Sequence, residues 1–283
     1  TERAWVEDVV DPVEPDSVAF KYEIYDDGMN LVATIDTSLA GINKYGFDRL
    51  DDYYIRLIAV NDLLCSDTLT DYLVLKPTTS LDEAGYEEEF GTQGFWSTRA
   101  DSLSDANSWT FGVPDFSGYQ PAPGDNAWFT QFAEQDRDFD ERSWMQSPCF
   151  DFRNTERPMI RMDIMKSFGF NDDGAVLQYT TDNGETWVNV GNIGEGINWY
   201  NSFNIKEKPG ADEGSSIGWS GTELFAPDTN WVTVAHDLDA LIDEESVIFG
   251  IFYAADGSYG ENQGIAVDNI YIGDRNGVRT PMQ

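Results

Sequence analysis

Residues 174–190 read GAVLQYTTDNGETWVNV. Gly174–Thr180 runs as one strand, rich in β-forming side chains. Asp182, Asn183 and Gly184 break the run with turn residues, and Thr186–Val190 returns as a second strand. Thr180, Asp182, Gly184, Thr186 and Trp187 follow the pattern Ser/Thr-x-Asp-x-Gly-x-Thr-Trp. Its logic is local. The Asp carboxylate accepts N–H groups across the turn, the glycine supplies a positive φ, and the tryptophan packs the returning strand. An antiparallel hairpin is therefore the unit from which the fold is built.

The same texture extends in both directions. Strands are expected over 127–132, 143–147, 159–165, 231–237, 247–254 and 264–273, separated by loops rich in Gly, Asp, Asn and Ser. Only 238–245 (LDALIDEE) suggests a helical turn. Upstream, 18–25 (VAFKYEIY) alternates, with Val18, Phe20, Tyr22 and Ile24 on one face, and Asp26-Asp27-Gly28 closes it. Strands over 31–35, 53–60 and 71–76 follow. The pattern predicts an all-β chain in two parts. A small β-sandwich occupies 1–77, and residues 78–85 link it to a larger antiparallel sandwich, best described as a jelly roll, over 86–275. Residues 276–283 read as a tail. No short-period repeat points to a solenoid or propeller.

The chain has 283 residues, 17 basic and 52 acidic, for a formal charge of −35. Nucleic acid is excluded as a partner, because phosphate recognition needs basic side chains to displace counterions. Anionic membrane surfaces are disfavoured for the same reason, and no apolar run approaches the roughly 20 residues of a membrane span. The chain opens at Thr1 without a signal-like segment, which reads as a processed or excised form. The surplus acid reads first as a solvated surface.

Chemistry-bearing motifs are sparse. Cys65 and Cys149 fall in different expected domains and read as small buried hydrophobes. His236, the only histidine, precedes Asp237 on an expected strand, but a nucleophilic triad is a matter of spatial geometry. Asp136–Glu141 resembles the start of a calcium loop, yet the EF-hand pattern needs Gly sixth and Glu twelfth, where Glu141 and Ser147 stand, so it reads as a solvated acidic loop. Sialidases carry the 180–187 pattern in several copies with an arginine cluster; a single copy reads as a structural hairpin. Trp199, Tyr200 and Trp219 lie in loop-like sequence and are the aromatic candidates for stacking on sugar rings, against the ordinary reading that such rings fill a core.

These residues carry a resemblance. FWSTRADSLSDANSWTFGVP (95–114), PGDNAWFT (123–130), SWMQSPCFDF (143–152), the stretch 173–191, NWYN (198–201), GWSG (218–221) and IAVDNIYIGDR (265–275) resemble, in that order, MAM-like, concanavalin A-like jelly-roll modules. Such modules occur in large surface proteins of gliding or type IX-secreting Bacteroidetes. The first part resembles a PKD or Ig-like module through YYIRLIAVNDLLCSDT (53–68), with Tyr25-Asp26-Asp27-Gly28 in place of the PKD turn. The resemblance implies an extracellular, secreted or cell-surface protein of tandem β modules, non-enzymatic, serving as an adhesive, structural or filament segment. It also implies neighbouring modules or subunits and glycans as partners, with carbohydrate binding through loop aromatics as the alternative function. It further implies one structural calcium, which by position falls to Glu89, Asp125 and Asp268, although Gly91 stands where the family's usual acid follows the first-strand Phe.

Overall fold

The computed structural model describes residues 18–26, 28–37, 52–61, 66–74, 77–82, 84–101, 104, 106–114, 126–130, 140–221, 228–256 and 264–275. The chain divides into two compact units between Pro77 and Thr78.

The first unit holds four strands, β1 (Val18–Asp26), β2 (Leu31–Thr37), β3 (Asp52–Asn61) and β4 (Ser66–Val74). They form one antiparallel sheet in the order β2-β1-β3-β4. The β1–β2 turn is held by Asp26, whose carbonyl accepts the Met29 N–H at 2.9 Å and whose carboxylate accepts the Asn30 N–H at 2.7 Å. Ile24 and Tyr53 are buried, while Glu23 takes bonds from Lys21 (2.7 Å) and the Tyr25 hydroxyl (2.6 Å). Among the described residues of 1–77 there is this one sheet, where the expected small sandwich needs two.

The second unit contains β5 (Thr78–Ser80), β6 (Tyr86–Glu88), β7 (Ser97–Ala100), β8 (Trp109–Gly112), β9 (Ala127–Thr130) and β10 (Glu141–Asp151). They are followed by β11 (Pro158–Ser167), β12 (Gly174–Thr180), β13 (Val188–Asn189), β14 (Asp228–Asp237), β15 (Val247–Ala255) and β16 (Gly264–Asp274). One sheet runs β13-β12-β15-β10, and the far edge of β10 is shared by β7 (antiparallel) and β5 (parallel). The other runs β14-β11-β16-β9-β8, with β6 also paired to β16. From β9 onward successive strands switch sheets, except at the β12–β13 hairpin, and the orders 9-16-11-14 and 10-15-12-13 are those of a jelly roll.

The linker expected over 78–85 is corrected here. Thr78–Ser80 pairs with Cys149–Asp151, and Leu81 is fully buried. A β-branched Thr-Thr pair ahead of an apolar Leu suits a strand entering a core, which the flanking Pro77 and Gly85 obscured in the sequence.

Alternation builds the core. Along β11, Pro158, Ile160, Met162 and Ile164 point inward while intervening residues are half-exposed. Ile160, Met162 and Ile164 join Met145, Phe150, Phe249, Ile251, Val267, Ile270 and Ile272 in one continuous cluster drawn from both sheets. Phe150 and Phe152 both meet Phe249, at ring distances of 6.1 and 6.2 Å. β15 is buried on both faces because Trp144 stacks on its outer residue Phe252 at 5.2 Å and Trp187 meets it edge-on at 5.0 Å. Gly250 leaves the space for this: a Cβ there would come within 2.6 Å of the Phe252 ring. The helical turn expected over 238–245 is a single 3₁₀ turn at Asp239–Leu241.

Candidate functional site

At the β12–β13 hairpin, Thr180 donates its hydroxyl to Asp182 Oδ1 at 2.7 Å and accepts the Gly184 N–H at 2.9 Å. Asp182 also accepts the Thr186 N–H (2.9 Å) and the Thr186 hydroxyl (2.6 Å). Asn183 and Gly184 both have positive φ, 62° and 94°. The Thr180 hydroxyl, then the Thr186 hydroxyl and N–H, hold the Asp182 carboxyl down to about 2. Both carboxylate oxygens are committed to shaping the turn, and Trp187 anchors its return on Phe252.

Trp199, Tyr200 and Trp219 do not form an exposed platform, which corrects the expectation drawn from their loop-like surroundings. Their exposures are 4%, 2% and 1%. The segment containing them crosses the open side of the sandwich. Ile197 bonds the backbone of Ala235 on β14, and Trp219 bonds that of Ala175 on β12. The three rings fill the gap between those edges, 4.8–5.3 Å apart. Each polar ring atom turns to a backbone carbonyl: Trp199 Nε1 to Val190 (2.8 Å), the Tyr200 hydroxyl to Leu177 (3.0 Å) and Trp219 Nε1 to Asn198 (3.4 Å). Burial pushes the Tyr200 phenol well up. Rings packed on both faces have no face left for a sugar.

What these rings hold in place is exposed. Phe203 is 68% exposed and Phe170 44%. They sit on two loops tied together by Ser202 Oγ donating to Asn171 Oδ1 (2.6 Å) and the Lys206 N–H donating to the Asn171 carbonyl (3.1 Å). Ser220 braces both: its Oγ accepts the Asn171 N–H, and its backbone exchanges bonds with the Asn201 amide at 3.0 Å. Sequence reasoning missed both phenylalanines. The available signal was an aromatic set among short polar residues, as in Asn201-Ser202-Phe203-Asn204, which favours turns over core.

Beside Phe170 lies an acidic end of the sandwich. Asp173 is buried, and burial first, then the carboxylates of Asp256, Asp172 and Glu207, push its carboxyl up to about 7 against an opposing bond from the Asp256 N–H. Asp172 is paired with Lys206. Of the solvated acidic loop expected over 136–141, residues 136–139 lie outside the described residues, and Glu141 departs from the expectation, since it opens β10 pointing inward and is 1% exposed.

The calcium candidates divide. Glu89 is exposed and follows β6, whose Glu88 pairs with Ile270. Asp268 lies on β16, where one extra residue relative to β11 makes a bulge and Asn269 takes φ 50°. The register therefore brings the end of β6 next to the Asp268–Asn269 bulge. Asp163, opposite Asp268 on β11, is taken by the Asn269 amide (3.0 Å) and the Thr233 hydroxyl. Asp125 lies outside the described residues, as does Cys65. Among the described residues no three His, Cys, Asp or Glu side chains gather as a metal-binding group.

His236 packs on Trp199 with ring centres 5.0 Å apart and approaches Glu195 at 3.4 Å. The Asp237 carboxylate pairs with Arg275 at 3.1 Å, so the Asp neighbouring His236 in sequence serves another residue. Cys149 is a free thiol 3.2 Å from the Ser246 hydroxyl.

The class defined by this geometry is a jelly-roll β-sandwich whose loops build its surface chemistry. No family model matches the chain, and no curated protein matches it. Solved structures similar to it include a carbohydrate-binding module of the β-sandwich superfamily described for promiscuous specificity, 13% identical over 92% of this chain and 86% of the other, with a TM-score of 0.35. The K1 cleaved adhesin domain of Lys-gingipain from Porphyromonas gingivalis W83 is 14% identical over 67% of this chain and 98% of its own, with a TM-score of 0.38. The mannan-recognising module TmCBM27 is 14% identical over 67% and 96%, with a TM-score of 0.29. At such identities and scores, the function has to be argued from this chain's own residues.

Proposed function

We propose that this protein is a non-catalytic adhesive or ligand-binding segment of an extracellular or cell-surface protein, with glycans as the first ligand class to test. The observation that carries the reading is the exposure of Phe203 and Phe170 on two loops locked by the Ser202–Asn171 and Lys206–Asn171 bonds. An aromatic ring left in water on a braced loop gains by covering its face, and the apolar face of a pyranose does that. The adjoining short polar side chains supply hydrogen-bonding capacity, and pre-ordered loops lower the entropy lost on binding. The committed Asp182 carboxylate and the pairing of the Asp237 carboxylate with Arg275 favour structural over catalytic roles for the two motifs closest to enzyme signatures. A structural calcium involving Glu89, Asp125 and Asp268 is part of the same proposal.

Glycan-array binding by the full chain tests it, with Phe203→Ala and Phe170→Ala as variants. Binding that disappears in these variants while their melting temperature stays at the wild-type value is the expected result. Binding unaffected by both substitutions places the ligand surface elsewhere, and no binding to any glycan removes that ligand class.

A further inference from the structure

His236 faces the core from β14, the edge strand of its sheet. Val234 and Leu238, two residues to either side of it, are buried, and so is Ile160, its ladder partner on β11. The segment 191–198 folds over the ring. A Cβ at Gly191 would come within 2.1 Å of His236 Nε2, and one at Gly196 would meet the Ala235 carbonyl oxygen at 2.3 Å. The segment therefore closes on this strand only because both positions lack a side chain, and their φ values of 68° and 61° make the same demand.

Both ring nitrogens face acceptors. Nδ1 lies 2.6 Å from the Asp237 carbonyl oxygen, and Nε2 lies 3.4 Å from Glu195 Oε2. A carbonyl oxygen cannot donate, so Nδ1 carries a proton. In the neutral ring Nε2 then presents a lone pair to a carboxylate oxygen, and the two repel. A second proton, on Nε2, turns that repulsion into a charge-assisted hydrogen bond. Glu195 is aimed by its own turn: Oε2 accepts the Asn192 N–H at 2.7 Å, and the Glu195 N–H bonds the Asn192 carbonyl at 3.3 Å. The other described groups around the ring leave this pair to itself. Trp199 and Ile160 are uncharged, and the Asp237 and Asp239 carboxylates are both paired with Arg275, at 3.1 and 2.6 Å.

We propose that His236 and Glu195 form a proton-operated latch. With the second proton on Nε2, the segment 191–198 is held down on β14; loss of that proton loosens it. Histidine is the side chain that ordinarily changes charge near neutral pH, which suits it to this role. The latch's contribution is present on the acid side and is lost as the ring gives up its Nε2 proton. It acts on the cover of the buried aromatic rings. The same segment joins β14 through the Ile197–Ala235 backbone pair at 2.8 and 3.0 Å, and it leads into Trp199, whose Nε1 bonds the Val190 carbonyl at the segment's other end.

The chain has one histidine, so isotope labelling of histidine nitrogens in the full chain reports this ring alone. Long-range proton–nitrogen spectra, recorded from about pH 4.5 to about pH 8.5, read which nitrogen holds a proton. The expected result is two protonated nitrogens at the acid end and, at the alkaline end, a neutral ring that keeps the proton on Nδ1. Glu195 is 55% exposed, so the pair is a partly exposed one. Glu195→Gln keeps the shape, removes the charge and should lower the midpoint of the titration by about 0.3–0.7 pH unit. Amide exchange at Ile197 and Ala235, corrected for its intrinsic pH dependence, should quicken about two- to fivefold across the wild-type titration and stay level in Glu195→Gln. A histidine that only fills space would titrate at one midpoint in both proteins. A neutral ring protonated on Nε2, a midpoint that Glu195→Gln leaves in place or raises, or exchange at Ile197 that ignores the titration overturns the proposal. Should Glu195→Gln fail to fold, the tautomer and the pH dependence of exchange in the wild type decide.

Discussion

Asp173→Asn should make the jelly roll more stable, and more so as pH rises. The folded protein holds the Asp173 carboxyl at about 7, well above the 3.8 that is ordinary for an aspartate. Burial is the main cause, reinforced by Asp256, Asp172 and Glu207. Because the folded pKa is raised, the folded state binds the proton more tightly than the unfolded chain does. Stability is then full below about pH 4, falls as pH climbs towards 7, and carries the whole penalty above it. Each pKa unit is worth ~1.4 kcal/mol, so a displacement of about three units amounts to roughly 4 kcal/mol at most. Asparagine keeps the shape and the oxygen that accepts the Asp256 N–H at 3.2 Å, and it carries no charge to desolvate. Urea denaturation of wild type and variant, followed by tryptophan fluorescence in calcium-free buffer from about pH 4 to pH 8.5, measures the difference. The variant should match the wild type within ~1 kcal/mol at the acid end and exceed it by several kcal/mol at the alkaline end. A difference that stays constant with pH, or a variant weaker at about pH 8, would refute the assignment of a buried, proton-retaining acid at this position.

Three other outcomes follow from the packing. Trp219→Ala removes a ring that is 1% exposed and should cost about 3–5 kcal/mol in chemical denaturation, whereas Phe203→Ala should stay within ~0.5 kcal/mol of wild type. Leu81→Ala should destabilise the jelly roll by about 2–5 kcal/mol, measured the same way, because the residue is a core side chain behind β5; a linker residue would show almost no effect. Asp182→Asn should weaken the β12–β13 hairpin above about pH 4, and the gap between variant and wild type should close as pH falls towards 2, since the lowered folded pKa supplies stability that protonation removes; hydrogen exchange at the Gly184 and Thr186 amides reads this locally.

The sequence determined the strand content and the hairpin. Alternating apolar residues along 18–25 and 159–165, and the Thr-x-Asp-x-Gly-x-Thr-Trp pattern, are local signals, fixed by side-chain direction and turn geometry within a few positions. Gly174–Thr180 coincides with β12 for that reason. The order of strands in the two sheets, and which aromatic rings face water, were decided elsewhere. Trp199, Tyr200 and Trp219 look like loop residues until Ala235 and Ala175 capture the backbone on either side of them and draw the rings into the gap between the sheets. Thr78–Ser80 resembles a connector until β10 offers it a free edge. Glu141 reads as one more surface acid in an acidic chain until the pleat of β10 turns it inward beside Ser108. In each case a partner distant in sequence sets whether a side chain meets solvent or core, and that choice costs or yields more free energy than any local preference of the residue itself.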